Sequence, residues 1–181
     1  IEYMQGTAQF ISGNGIKIQK SDGESQEIEF EKAIIATGSS NVKLTNIPMD
    51  SENVIDSTGS LEIKDIPERM LVIGGGYIGL EQANIYARLG SQVSVVEMAP
   101  QLLPGTDRDI VSVLTKHFRD LFDETMLNSK VSRIEDTKEG IKVWFEGDAE
   151  KKSGQTYNKI LVSVGRKPNI SDIGLEHTHI K

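Results

Sequence analysis

Short runs of alternating hydrophobic and polar residues fill the first part of the chain, and turn-forming residues separate them. The alternation predicts three strands, at 9–12, 16–20 and 27–30. The apolar run 33–36 predicts a fourth, buried strand. Segment 44–67 is polar and bounded by proline, which indicates a linker with one short helix starting near Ser57. We therefore expect a β-meander that feeds a strand, followed by a linker.

Strand and helix periodicities alternate from residue 70 onwards. They predict a strand, a helix, a strand and a helix, at 70–73, 77–89, 93–96 and 107–122. Thr106, three residues before Asp109, resembles a capping signal for the second helix. That helix has an apolar stripe, which consists of Val111, Leu114, Phe118 and Leu121. Such alternation favours a parallel sheet with right-handed crossovers. A second meander, at 131–135 and 141–145, then feeds an apolar run at 160–164.

A glycine-rich segment joins the first predicted strand of this series to its helix. It reads Gly74-Gly75-Gly76-Tyr77-Ile78-Gly79, and Glu97 closes the next apolar run eighteen residues after Gly79. Gly74, Gly76 and Gly79 are expected to make the tight turn, admit a pyrophosphate and pack the helix on the sheet, respectively. Glu97 suits a ribose 2′-hydroxyl and would repel a 2′-phosphate. The segment therefore predicts a dinucleotide site that prefers NAD; a ligand-free turn and a polar strand cap are the alternative interpretations.

The meander and the strand after it recur in outline. Gly15-Ile16-Lys17-Ile18 with 33–38 resembles Gly140-Ile141-Lys142-Val143 with 160–165. Two short matches also arise by chance between hairpins. If the repeat is real, the chain holds the back end of one nucleotide-binding domain and nearly all of a second. The expected class is α/β, a Rossmann-like doubly wound parallel sheet with a β-meander crossover.

Composition and charge exclude several kinds of partner. The chain has 181 residues, 37% of them hydrophobic, and a formal charge of −7 without a basic run, which argues against nucleic acid. No apolar run approaches the length of a membrane span and no signal peptide is evident, so we expect a cytoplasmic protein without a membrane partner. There is no cysteine, and the three histidines form no convincing zinc cluster, so no metal is expected.

Some candidate residues have two interpretations. Glu81 near the start of the first helix suits the helix dipole, and equally a nicotinamide carboxamide or a nearby cation. The ring of Tyr77 either covers a flavin or simply packs. Two apolar runs end at a glycine, where parallel sheets place ligands. They are Ala36-Thr37-Gly38-Ser39 and Val164-Gly165-Arg166-Lys167-Pro168-Asn169.

Taken in order, these motifs resemble the FAD-dependent disulfide oxidoreductases over essentially the whole chain. Further matching text stands at Asp56-Ser57-Thr58, Pro67-Glu68-Arg69, Leu89-Gly90-Ser91-Gln92-Val93 and Val95-Val96-Glu97-Met98. These further segments resemble those of the lipoamide-linked members of the family. By resemblance, Gly74 to Glu81 cradle NAD and Glu97 holds its ribose. Val131 and Gly165 then line the adenine and nicotinamide ends, while Thr37, Gly38, Ser39 and the backbone of Ala8 touch FAD. Ala8 and Asn41 depart from the glycine and proline of many relatives.

The resemblance also implies a division of the chain. Residues 1–44 would be the end of a first FAD-domain segment, 45–166 the NAD-binding domain, and 167–181 the return to the FAD domain. The family's redox cysteine pair and its histidine base are not in this sequence. We therefore expect an internal fragment without catalytic residues, taken from an enzyme that passes electrons from dihydrolipoyl groups through a disulfide and FAD to NAD+.

Other hypotheses and partners follow from the same reasoning. An NADPH-dependent disulfide reductase, of the glutathione or mercuric type, and a non-enzymatic nucleotide-sensing module are the alternatives. The implied partners of the longer enzyme are NAD(H) and a 2-oxo acid dehydrogenase complex that bears lipoyl domains. The first meander would lack its sheet partners in this chain, so its strand edges predict self-association.

Overall fold

The computed structural model describes residues 1–45, 47 and 50–180, which form two compact units. The smaller unit comprises Ile1–Ser40 with Lys167–Lys181, and the larger comprises Asn41–Arg166. Within the described residues, no helix is long and apolar enough to cross a membrane.

The smaller unit is built on an antiparallel sheet of three short strands. These are β1 (Thr7–Ser12), β2 (Gly15–Gln19) and β3 (Ser25–Glu29), in the order β1-β2-β3. The Phe10 amide donates to the Ile173 carbonyl at 2.8 Å, which attaches the last segment of the chain to β1. Phe10 in β1 and Ile18 in β2 are buried apolar residues of the smaller unit. The Phe10 ring packs edge to face against that of Phe30, with the ring centroids 5.9 Å apart. The predicted meander is confirmed.

The predicted strand at 33–36 is wrong. These residues belong to none of the described sheets, and Ile34 is 93% exposed. An apolar run forms a buried strand only beside a partner strand, and within the described part of the chain none lies against it. The predicted repeat therefore has a folded final strand only in its second copy.

The larger unit contains a five-stranded parallel sheet. Its strands are β5 (Val54–Asp56), β6 (Arg69–Ile73), β7 (Gln92–Val96), β8 (Glu124–Met126) and β12 (Lys159–Val162), in the order β5-β12-β6-β7-β8. Two helices, α1 (Tyr77–Arg88) and α2 (Arg108–Arg119), follow β6 and β7. A second meander, of β9 (Ser129–Thr137), β10 (Gly140–Gly147) and β11 (Gln155–Tyr157), connects β8 to β12. A separate two-stranded sheet consists of β4 (Ser39–Asn41) and β13 (Arg166–Pro168).

Period-two patterning of the central strands explains this layering. In β6, Leu71 and Ile73 belong to the core shared with the meander, while Met70 and Val72 belong to the core shared with the helices. All four are at most 6% exposed. Both faces of the sheet are thus covered, which is why its strands are apolar throughout. The predicted α/β sheet with a meander crossover is confirmed.

Several local predictions need correction. The segment 44–67 contains the strand β5, and its short helix is a 3₁₀ turn at Gly59–Glu62. Predictions for Asn46, Pro48 and Met49 lie outside the described residues. The residue that precedes α2 is Asp107 rather than Thr106, and it makes no side-chain cap. A three-residue strand such as β5 has too little periodicity to be seen in sequence, since its pairing with β12 defines it.

Candidate functional site

The carboxyl ends of four strands in the larger unit coincide. Val162 pairs in register with both Asp56 and Ile73, and Ile73 pairs with Val96. The residues that follow these ends, among them Ser57, Gly74, Glu97 and Ser163, line one cavity of about 970 Å³. It lies beside the boundary between β6 and β12, where strand order reverses and parallel sheets place their ligands.

The glycine-rich turn forms one wall of this cavity. Gly74 has a φ of +109°, and a Cβ there would lie 2.4 Å from the Ser163 carbonyl oxygen. A Cβ on Gly79 would lie 2.2 Å from the Gly74 carbonyl oxygen, so this residue brings α1 against the strand end. Gly76 differs, because nothing lies within 4 Å of its added Cβ and it lines the cavity. The space beside Gly76 is therefore open to a ligand.

Helix α1 begins at the cavity. Gly76 precedes its first residue and has no side chain that could cap the first backbone amides. Tyr77 and Ile78 also line the cavity, and Tyr77 is 67% exposed. The partial positive charge at this helix end favours an anion.

Glu97 contacts the same turn. Its Oε2 accepts from the Gly75 amide at 2.7 Å, and its Oε1 accepts from the Ala99 amide at 2.8 Å. A carboxylate oxygen accepts two hydrogen bonds, so each oxygen keeps capacity for a ligand hydroxyl. The carboxylate thus fixes the turn and faces the cavity that the turn borders. The sequence did not indicate this first role.

The opposite wall comes from the second meander and the end of β12. Val131, in β9, is buried in the core shared with the meander and lines the cavity. Gly165 also lines it, and its carbonyl accepts from the Val42 amide at 3.0 Å. The predicted residues Gly74, Gly76, Tyr77, Ile78, Glu97, Val131 and Gly165 are therefore brought to one cavity. Gly75 and Gly79 do not line the cavity themselves, but they lie against residues that do, namely Glu97 and Gly74, respectively.

Glu81 lies elsewhere. It is exposed and lines a groove of about 440 Å³ between α1 and α2, together with Arg88 and His117. Because Glu81 follows Tyr77 by four residues, it lies one turn further along the same helix face. That face borders both cavities at Tyr77, but only the groove at Glu81.

A polar cluster that the sequence did not reveal stands at the cavity edge. Asn41 donates from Nδ2 to Asp56 Oδ2 at 2.7 Å, and its Oδ1 accepts from Ser57 Oγ at 3.1 Å and from the Arg166 guanidinium. The Gly59 amide, which donates to Asp56 at 2.9 Å, is the largest cause that lowers the pKa of the Asp56 carboxyl. Asn41 therefore fixes this segment by hydrogen bonds to three neighbouring side chains.

The predicted flavin contacts lie in the smaller unit. Thr37 Oγ1 donates to the Asn169 carbonyl at 2.6 Å, the Asn169 amide donates to the Gly38 carbonyl at 3.0 Å, and Ser40 Oγ donates to Asn169 Oδ1 at 2.7 Å. Asn169 thus holds the segment 37–40, which contains Ser39 at the start of β4. Ala8 is exposed on β1. No group of His, Cys, Asp and Glu suited to a metal ion occurs in the described part of either unit.

This architecture defines a class of protein. A five-stranded parallel sheet with a glycine-rich turn at its switch point, helices on one face and a meander crossover on the other is shared with FAD-dependent disulfide oxidoreductases. The chain belongs to the pyridine nucleotide-disulphide oxidoreductase family, which matches residues 1–181.

Individual relatives agree with this assignment. The chain is 41% identical over 169 residues to a dihydrolipoyl dehydrogenase of Vibrio parahaemolyticus, covering 93% of this chain and 35% of the relative. It is 34% identical over 181 residues to the Geobacillus stearothermophilus dihydrolipoyl dehydrogenase, covering 100% and 38%. A solved structure of the HOCl-induced flavoprotein disulfide reductase RclA from Escherichia coli superposes with a TM-score of 0.80 at 32% identity, covering 97% and 39%. The chain thus spans little more than a third of these relatives.

Proposed function

We propose that the larger unit binds NAD(H) as part of a dihydrolipoyl dehydrogenase. The carrying observation is the Glu97 carboxylate bonded at 2.7 Å to the turn amide of Gly75, beside the open space at Gly76. An anion at the start of α1 and a diol at Glu97 match the pyrophosphate and the adenosine ribose of one dinucleotide. The similarity to curated dihydrolipoyl dehydrogenases supports the choice of enzyme.

Different residues of the cavity would hold different parts of the dinucleotide. The unblocked amides at the start of α1 would hold the pyrophosphate, and Glu97 would accept from the ribose hydroxyls. Val131 would pack on the adenine and Gly165 would leave room at the nicotinamide end, while the exposed ring of Tyr77 would border the same end. When bound, NAD+ supplies a hydride acceptor, and the protein supplies binding and orientation.

The remaining parts of the proposal concern the longer enzyme. Thr37, Gly38, Ser39 and Ala8 would contact FAD, and a lipoyl-bearing 2-oxo acid dehydrogenase complex would be the partner. The larger unit begins at Asn41 and ends at Arg166, which is compatible with a separate NAD-binding domain over the proposed range 45–166. The outer edge of β3 in the three-stranded sheet supports the proposed self-association.

Binding of NADH to the purified chain tests the proposal. Gly76→Val places a side chain in the open space while keeping a backbone, φ −77° and ψ 174°, that valine adopts readily. We expect the variant to fold and its NADH affinity to fall at least about tenfold. Gly13→Val is the matched control, because its Cβ meets only His179 at 3.6 Å, far in sequence from the cavity residues. Equal NADH affinity in both variants would contradict the proposed site.

A further inference from the structure

The cavity wall contains a charged pair that the proposed function does not use. Lys130 and Glu146 face each other across β9 and β10, with Lys130 Nζ 2.8 Å from Glu146 Oε2. Both residues line the same cavity as Glu97, and both side chains are about half exposed, at 53% and 54%. The pair is thus accessible to a ligand and not part of the core.

Backbone connections place Lys130 close to the ribose end of the cavity. The amide of Ser129, its neighbour in the chain, donates to the Glu97 carbonyl at 3.0 Å. Val131, its other neighbour, is the residue proposed to pack on the adenine. Lys130 therefore lies between Ser129, which donates to the backbone of the proposed ribose acceptor, and Val131, the proposed adenine contact. In the proposed binding mode, a 2′-phosphate on the adenosine would be near Lys130.

The charges near this point decide which dinucleotide is favoured. The loop after Glu97 reads Met98-Ala99-Pro100-Gln101 and brings no cation. Of the described residues that line the cavity, Lys130 and Arg166 are the cationic ones, and Arg166 contacts Asn41 at the other edge. Lys130 is thus the cation available to a 2′-phosphate, and Glu146 both neutralises it and repels the phosphate.

We propose that Glu146 is a specificity-determining residue, which excludes NADP(H) by holding the Lys130 ammonium in an ion pair at the cavity wall. This inference rests on the proposed function and deepens it. Glu97 discriminates directly at the ribose hydroxyl. Glu146 acts through Lys130, so its removal releases a cation without touching the groups that hold NAD(H).

The test compares NADH and NADPH dissociation constants for purified variants at low ionic strength. Glu146→Gln is expected to lower the NADPH dissociation constant by about threefold to fivefold, which is the size of effect that a half-exposed ion pair produces. The NADH dissociation constant should stay within about twofold of its value in the unmodified chain. Adding Lys130→Gln to this variant should abolish the gain. About 1 M salt should abolish it as well, because the interaction is electrostatic.

A second pair on the same hairpin provides the control. Arg133 and Glu135 lie 2.6 Å apart, are similarly exposed and do not line the cavity. Glu135→Gln removes one negative charge from the same meander and should leave both dissociation constants unchanged.

The outcomes separate this inference from the function on which it rests. An unchanged ratio of NADPH to NADH affinity in Glu146→Gln would overturn the role of Glu146. An equal gain for both nucleotides would overturn it too, because Lys130 would then contact a phosphate common to both. If the unmodified chain bound neither nucleotide, the proposed function itself would fail.

Discussion

Gly79 and Gly76 lie three residues apart, yet the structure assigns them opposite tolerance to a methyl group. A Cβ on Gly79 would approach the Gly74 carbonyl oxygen to 2.2 Å and Ser163 Oγ to 2.6 Å. The carbonyl belongs to backbone fixed between β6 and α1, so it has little room to move. A Cβ on Gly76 meets nothing within 4 Å. Alanine at these two positions therefore tests the packing of the turn.

The expected size of the effect follows from two opposing terms. Overpacking costs about 1–3 kcal/mol, and alanine in a helix returns about 1 kcal/mol relative to glycine. The overlap at Gly79 is severe, so we expect Gly79→Ala to lose about 2 kcal/mol, or about 4–8 °C in melting temperature for a chain of this size. Gly76→Ala changes the residue before the helix and should lose less than about 1 kcal/mol.

The fluorescence of Trp144, the single tryptophan, reports the unfolding of the larger unit. This probe avoids averaging over the two units, which need not unfold together. A Gly79→Ala variant that melts at or above the temperature of the unmodified chain would refute the packing argument. Equal losses in the two variants would refute the assigned difference between the glycines.

Three further substitutions have defined outcomes. Glu97→Ala leaves two backbone amides without their acceptor and should cost about 2–4 kcal/mol in denaturant unfolding as well as NADH affinity; an unchanged midpoint would contradict its role in the turn. Tyr86→Phe removes the buried 2.9 Å hydrogen bond to the Ser60 carbonyl and should cost about 1–2 kcal/mol, measured in the same way. The Gly59 amide lowers the pKa of Asp56 below its ordinary 3.8, so that carboxylate stabilises the fold above this pH and the contribution is lost as pH falls through the lowered pKa. Between about pH 5 and pH 2.5, the melting temperature of Asp56→Asn should consequently fall less steeply with decreasing pH than that of the unmodified chain.

Long amphipathic elements and the glycine turn could be predicted because their signals are local. The stripe of α2 places Val111 and Phe118 in the core and Leu114 against it, whereas Leu121, which also packs there, lies beyond the helix end at Arg119. The turn from β6 into α1 is where the glycines indicated, because only glycine fits backbone atoms as close as those around Gly74 and Gly79. The position of Glu97 at the end of β7 follows from the same strand-to-helix spacing.

Other features depend on contacts between residues distant in the chain. The run at 33–36 has the composition of a buried strand, but no described strand lies beside it. The short strand β8 is defined by pairing with β7, and its own sequence lacks a period. The Lys130–Glu146 pair and the Asn41 cluster join residues 16 and 15 or more positions apart, respectively, so no spacing rule indicates them.

Direct titration of the unmodified chain with NADH and with NADPH tests the central claim most simply. If the Gly74 turn and the Glu97 carboxylate form a site for an unphosphorylated ribose, calorimetry will show NADH bound at least about tenfold more tightly than NADPH. Equal or tighter binding of NADPH, or no binding of either nucleotide, would contradict the account.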